Sequence, residues 1–131
     1  MTTETRRGVG ISRIAYALVP VEDADAAIAF YTDELGFELA ADNPYGDGQR
    51  WTEVALPGCA TTIALVPSHG DYPAGSHTGI ALATADARAL HARLTNSGVD
   101  VDAELMGGGE TPAFFWLRDR DGNTLMVVEN A

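Results

Sequence analysis

The chain carries one structural plan twice, and this repeat limits what it can fold into. Residues 13–37 predict an apolar strand, an acidic turn, an alanine-rich helix and a Leu-Gly-Phe exit, and residues 77–99 follow the same plan. The copies align at an offset of about 61 residues, which places Tyr16 on His77. Each copy is too small to bury its own sheet face. We therefore expect the copies to pack together, with a concavity between them in which a function would lie.

The spacing of apolar and turn residues predicts the order β-α-β-β-β in each copy. The acidic turn at 22–25 supplies an N-cap before the first helix, Asp25 aligns with Asp86, and Gly36 and Gly98 end the helices. The predicted strands are 13–20, 37–41, 50–56 and 61–66 in the first copy, and 77–82, 99–105, 113–118 and 124–129 in the second. The predicted helices are 26–35 and 86–97, and residues 43–48 are predicted to form a turn.

These elements define the fold class as α+β. Two tandem βαβββ units form curved mixed sheets around a cup, with the helices on the outer face. A length of 131 residues suits one domain or two tightly joined half-domains. The predicted boundaries are a flexible N-terminal tail at 1–12, the first unit at 13–67, a linker at 68–76 and the second unit at 77–131.

Charge and composition narrow the class of partner. The formal net charge is −11, and the basic residues are all arginines. A chain this acidic repels nucleic acid and anionic membrane, so neither is an expected partner. The sequence has neither an apolar run long enough for a membrane span nor a signal-peptide stretch, which predicts a cytoplasmic protein. Cys59 is the single cysteine and cannot form an internal disulfide, which agrees with a reducing compartment.

Four short motifs, in order and inside the repeat, resemble one known family. They are Val-Glu-Asp at 21–23, Phe-Tyr at 30–31, Leu-Gly-Phe at 35–37 and Asp-Arg-Asp-Gly-Asn at 119–123. The last resembles an Asp-Pro-Asp-Gly-Asn turn, with arginine in place of proline. Together they resemble the vicinal oxygen chelate superfamily, which includes glyoxalase I, extradiol dioxygenases, fosfomycin-modifying enzymes and bleomycin resistance proteins. The resemblance covers residues 13–129.

The resemblance implies a divalent metal at the floor of the cup, bound by His and Glu side chains from the first and last strands of each unit. The corresponding positions here are Tyr16, Ala64, His77 and Met126. Only the imidazole is a ligand of the usual kind, because neutral tyrosine is a poor ligand, alanine is none and a thioether is soft. A catalytic zinc, for comparison, needs three protein ligands. We therefore predict no metal and no cofactor.

A cup without those ligands has mostly apolar walls and a few polar groups that orient a small molecule. The predicted ligand-binding residues are Tyr16, Tyr45, Trp51, Glu53, His77, Phe114, Trp116 and Met126. The two tryptophans could instead be core or dimer contacts, and the histidine could be a satisfied, partly buried side chain. Strand alternation does not decide which face of strand 113–118 lines the cup. No catalytic residue is identified.

The favoured interpretation is a metal-free small-molecule-binding protein. It would resemble bleomycin-type antibiotic resistance proteins, which sequester a compound without altering it. Its ligand could be aromatic or cationic, and could equally be neutral. The resemblance also implies a homodimer, and whether the two units pair within one chain or across that dimer stays open. The alternative is a lyase, isomerase or dioxygenase of the same superfamily that depends on a metal or uses His77 or Glu53 as a base. A third interpretation is a module that pairs with another protein.

Overall fold

The computed structural model describes residues 8–130, which form two units of four strands and a helix. The first unit contains β1 (Tyr16–Val21), α1 (Ala24–Asp33), β2 (Glu38–Tyr45), β3 (Gln49–Ala55) and β4 (Thr62–Pro67). The second contains β5 (His77–Thr84), α2 (Ala87–Asn96), β6 (Asp100–Val101), β7 (Phe114–Arg118) and β8 (Thr124–Glu129). The predicted α+β class and tandem βαβββ plan are confirmed, while residues 1–7 of the predicted tail lie outside the described part. Within residues 8–130, no helix is long and apolar enough to cross a membrane.

Both sheets have the same topology. The strand order is β1-β4-β3-β2 in the first sheet and β5-β8-β7-β6 in the second. The first strand of each unit pairs in parallel with the last, and the remaining neighbours are antiparallel. Within the described residues the strands form two separate sheets rather than one continuous sheet. Each sheet therefore keeps a face of its own opposite its helix.

The strand register makes the two copies comparable residue by residue. Tyr16 pairs with Thr62, and His77 pairs with Thr124, so Tyr16 and His77 hold the same place in their sheets. The ladder of β1 then continues regularly, whereas β5 has an irregularity in which Gly79 adopts φ +75°. A glycine takes this conformation without the strain that a Cβ atom would add. The two copies are thus equivalent at their start but not along the whole first strand.

Local signals set the ends of both helices, with one change to the predicted alignment. The N-caps are Asp23 and Asp86, and each carboxylate accepts a backbone N–H of the first turn. Asp25 lies inside the first turn of α1, where a carboxylate suits the helix dipole. The predicted alignment of Asp25 with Asp86 is therefore wrong, because β5 is longer than β1. Gly36 and Gly98 follow the helices with positive φ, as predicted.

Strand boundaries differ from the prediction by more than two residues at three places. β2 continues through residues 43–45, predicted as a turn, because β2 is an edge strand in which Pro44 needs no ladder donor. The hairpin turn is confined to residues 46–48. β1 begins at Tyr16 rather than at residue 13, since its ladder with β4 begins there. β6 is limited to two residues, because the chain pairs with β7 only briefly before the glycine-rich loop.

One hydrophobic core joins the two units. Its buried residues come from both helices and from the sheet faces that they cover, and they include Tyr31, Phe37, Leu94 and Phe115. A small cavity of about 60 Å³ is lined by residues of both units, among them Phe37 and Leu94. The helix-covered faces therefore pack against each other, and the opposite face of each sheet stays free of this core.

A buried polar network connects the second unit to the first. The Asn123 amide donates from Nδ2 to the Pro20 carbonyl at 2.7 Å and to Asp119 Oδ2 at 3.0 Å. Its Oδ1 accepts from the Gly75 N–H at 2.8 Å. The Tyr31 hydroxyl also donates to Asp119 Oδ2, at 2.8 Å, and burial together with this carboxylate raises the pKa of the phenol. The Asp-Arg-Asp-Gly-Asn turn is thus a structural connector between the units.

Candidate functional site

The face of the first sheet opposite α1, which we call the first open face, carries half of the predicted ligand-binding residues. On β1 and β3, the buried residues Val19, Thr52 and Val54 alternate with residues that point away from the core. The second set includes Trp51 and Glu53, which are partly buried. Alternation therefore separates a core face from an accessible face on this sheet.

Aromatic side chains dominate the first open face. The rings of Tyr16 and Trp51 lie 5.2 Å apart at an angle of 66°, in an edge-to-face arrangement. Tyr16 and Leu18 each remain 43% exposed despite their size. Tyr45, predicted as a loop residue at the rim, lies instead at the end of β2 and is 49% exposed. These side chains form an apolar, accessible surface.

A single carboxylate, Glu53, lies among these apolar side chains. Its Oε2 accepts from Trp51 Nε1 at 2.5 Å, and its Oε1 accepts from the Thr62 hydroxyl at 2.6 Å. Hydrogen bonds to the charged form, from Thr62 first and Trp51 second, lower the pKa of this carboxyl. A carboxylate that is stabilised in its ionised form is a poor proton acceptor near neutral pH. The geometry thus favours Glu53 as a fixed negative charge rather than as the catalytic base of the enzyme alternative.

The second open face, opposite α2, carries the other predicted residues. On β7, Phe115 and Leu117 are fully buried in the core, so Phe114 and Trp116 lie on the opposite, partly buried face. The rings of His77 and Trp116 lie 5.0 Å apart at 75°. Met126 pairs with Trp116 across the ladder. The structure therefore decides the question of β7 orientation, which alternation alone leaves open.

The ladders show how far the two faces have diverged in chemistry. Glu53 pairs with Ala64, and Trp116 pairs with Met126 at the equivalent place in the second sheet. Residues that are paired across a ladder share one face. A carboxylate on the first open face thus corresponds to an indole on the second. The two faces form surfaces of different polarity on one scaffold.

A second cavity, larger than the one between the units, lies away from the open faces. A cavity of about 400 Å³ is lined by the C-terminal half of α1 and by residues 97–100 and 118–120. None of the predicted ligand-binding residues lines it. Its Arg118 guanidinium is already bound by the carboxylates of Asp100 and Asp102, both at 2.9 Å. This cavity is therefore separate from the candidate faces.

The residues at the four metal positions do not fit a divalent ion. The neutral phenol of Tyr16 is a poor ligand, and Ala64 and Met126 supply no oxygen or nitrogen side-chain ligand. Among the described residues, no three His, Cys, Asp or Glu side chains come together in a geometry that could hold a metal.

Sequence reasoning missed two residues that the structure adds to these faces. Thr62 binds Glu53 across the β3–β4 ladder. Its position two residues before Ala64, on the same strand face, was a usable signal. Met106 is 36% exposed and forms an isolated bridge with Phe114 on the second sheet. This bridge is non-local, so no local pattern could have indicated it.

Comparison with known proteins identifies the family. Residues 13–127 match the Glyoxalase/Bleomycin resistance protein/Dioxygenase superfamily, which agrees with the fold and with the motifs described above. The chain belongs to this superfamily.

Three relatives illustrate the relationship. TnmS3, an antibiotic binding protein from Streptomyces sp. CB03234, is 36% identical with a TM-score of 0.81, and the match covers 92% of this chain and 98% of TnmS3. A superfamily member from Sphaerobacter thermophilus DSM 20745 is 32% identical with a TM-score of 0.84, at the same coverages. The uncharacterized protein YetH of Bacillus subtilis (strain 168) is 30% identical over 122 residues, which are 91% of this chain and 99% of YetH.

Proposed function

We propose that this protein binds an aromatic small molecule on its open faces and sequesters it unaltered, as a cytoplasmic antibiotic-binding protein. The observation that carries the proposal is the position of the tryptophans. Trp51 and Trp116 are the only two in the chain, and each lies on an open face in contact with a second ring. Aromatic side chains that stay outside the core are suited to stack on a planar ligand.

Two further observations support binding over catalysis. The metal positions lack a usual ligand set, and the one carboxylate among the predicted residues is held in its ionised form. The likeness to TnmS3, an antibiotic binding protein, points the same way.

The proposal includes a homodimer, because each open face forms only one wall of a binding site. Apolar side chains at Leu18, Tyr45 and Met106 remain between 36% and 49% exposed. Ahead of β1, Ile11 and Ile14 are 98% and 72% exposed. Apolar surface of this kind marks an interaction surface. A second copy of the chain would cover it and supply the opposite wall.

The binding proposal predicts saturable quenching of tryptophan fluorescence. Bleomycin and a panel of planar aromatic antibiotics are titrated into the protein, with heat of binding measured in parallel. We expect at least one aromatic compound to quench the emission with one-to-one stoichiometry per chain and to be recovered chemically unchanged by mass spectrometry. If no compound binds, the proposal is wrong, and if a bound compound is converted, the enzyme alternative replaces it.

The dimer proposal predicts that a charge on the first open face weakens self-association. We expect the native chain to elute with twice the mass of one chain in size-exclusion chromatography with light scattering. Leu18→Glu should shift this equilibrium toward monomer, since a buried unpaired carboxylate costs several kcal/mol. Ala92→Glu adds the same charge on exposed α2 and should leave the mass unchanged. A native monomer at all concentrations would contradict the proposal.

A further inference from the structure

Glu53 and Asp42 are both hydrogen-bonded carboxylates of the first sheet, but their hydrogen-bond donors differ in charge. Asp42 on β2 binds the guanidinium of Arg50 through both oxygens, at 2.7 and 2.9 Å. Glu53 has neutral donors on both oxygens, the Trp51 indole and the Thr62 hydroxyl. Within residues 8–130 the ion pairs involve Arg50 and Arg118, not Glu53. The negative charge of Glu53 is therefore oriented without being neutralised.

The surroundings of this carboxylate supply no other charge at contact distance. Its neighbours across the ladders are Ala41 on β2 and Ala64 on β4, which add neither charge nor a polar side-chain atom. Arg13 influences Glu53 only through its field, because its guanidinium donates to the carbonyls of Ile14 and Ala60. The site thus contains one anion whose two hydrogen bonds fix its direction.

The aromatic pair beside Glu53 completes an environment that suits a cation. The Trp51 ring donates directly to the carboxylate and packs against Tyr16 at 5.2 Å. A cation gains from both a carboxylate and the face of an aromatic ring. A ligand with an aromatic body would contact the same rings, so one molecule could satisfy both features.

We propose that the first open face selects a ligand with a protonated amine next to an aromatic ring, and that Glu53 binds the amine. This inference rests on the proposed binding function and names the class of ligand. The Thr62 hydroxyl and Trp51 indole act as positioning groups, since they set the direction of the carboxylate. They leave its outward lone pairs to the ammonium N–H donors.

The test uses two probes that differ only in the charged group. Naphthalen-1-ylmethylamine is protonated at pH 7, and naphthalen-1-ylmethanol is its neutral counterpart. Both are titrated into the full chain, and binding is followed by backbone amide shifts. We expect the amine to bind about 10-fold more tightly, the size of effect that a charge-assisted hydrogen bond gives. The Glu53→Gln variant should bring the two affinities within about twofold of each other.

Controls separate the charge of Glu53 from folding and from overall charge. Glu22→Gln removes an equal charge from an exposed position outside this face and should keep the preference for the amine. Thr62→Val keeps the carboxylate but removes one of the two donors that fix its direction, so it should reduce the preference for the amine without abolishing it. On the native protein, raising the ionic strength should reduce the preference without affecting the neutral probe, which tests the idea even if Glu53→Gln does not fold.

The outcomes distinguish this inference from the function on which it rests. Equal binding of both probes by the native protein, or a preference that survives Glu53→Gln, would overturn the role of Glu53 but leave aromatic binding standing. Failure of both probes to shift any resonance of the open faces would overturn both. A preference lost only in Glu53→Gln and in high salt supports the assignment.

Discussion

Replacing Phe115 with alanine is expected to lower the free energy of unfolding by about 4 kcal/mol. Phe115 is fully buried on β7, and its ring packs edge-to-face on His91 at 5.0 Å. Truncation removes the transfer free energy of the ring and leaves a cavity in a core that joins both units. Urea denaturation at a fixed protein concentration measures the change, since self-association would add its own stabilisation.

Trp116→Ala, at the next position on the same strand, is the matched variant. Because Trp116 lies on the second open face, we expect it to cost only about 1–2 kcal/mol of stability. The Trp116→Ala variant should instead bind the ligand more weakly. It should also lose the part of the fluorescence quenching that comes from the indole of the second open face. The folded fraction of Phe115→Ala should bind normally. Equal destabilisation by both variants, or loss of binding in Phe115→Ala alone, would show that the assignment of the two faces of β7 is wrong.

Asn123→Ala is expected to cost about 3 kcal/mol, although asparagine is polar and lies in a turn. The amide is fully buried and satisfies the Pro20 carbonyl, the Gly75 N–H and the Asp119 carboxylate. Its removal takes the side-chain partner from the Pro20 carbonyl and the Gly75 N–H and one of several donors from Asp119, and each buried group left unsatisfied costs about 1–3 kcal/mol. Thermal and urea unfolding monitored by far-UV circular dichroism measure the loss.

Tyr31→Phe tests the same network with a smaller change. It removes only the hydroxyl that donates to Asp119 Oδ2, while Asn123 Nδ2 still donates to that oxygen. The expected cost is about 1.5–3 kcal/mol, the range for a hydrogen bond to a charged group. Both variants should also weaken the connection between the two units. We expect faster hydrogen exchange of the backbone amides next to Pro20 and in β8. A stability loss below 1 kcal/mol for Asn123→Ala would contradict the connector role.

Much of the fold followed from local patterns in the sequence. β8 matches its predicted bounds, and Gly36 and Gly98 follow the helices with positive φ as predicted. These signals are local, because caps, glycine stops and alternating apolar residues act within a few positions. The last three residues of β2, Asn-Pro-Tyr, were wrongly predicted as a turn. An edge strand tolerates proline, but whether a strand lies at the edge depends on its place in the sheet.

The candidate site was predictable only in part. The eight predicted residues do lie on the two open faces, but their role as ligand contacts stays a prediction. The sequence does not show which face of β7 points into the core. Both faces carry large apolar side chains, so the alternation of residues gives no contrast between them. The partners of Glu53 on β3 and β4 depend on strand register, which is set by tertiary pairing.

Glu53 and Trp116 occupy equivalent ladder places on sheets of unlike chemistry. In the proposed homodimer, a two-fold axis would bring the first open face of each chain against the second open face of its partner. The dimer would then contain two identical pockets, each with an acidic wall and an indole-imidazole wall. A ligand with unlike ends would enter each pocket in one orientation, so the stoichiometry would be two molecules per dimer with a single bound pose.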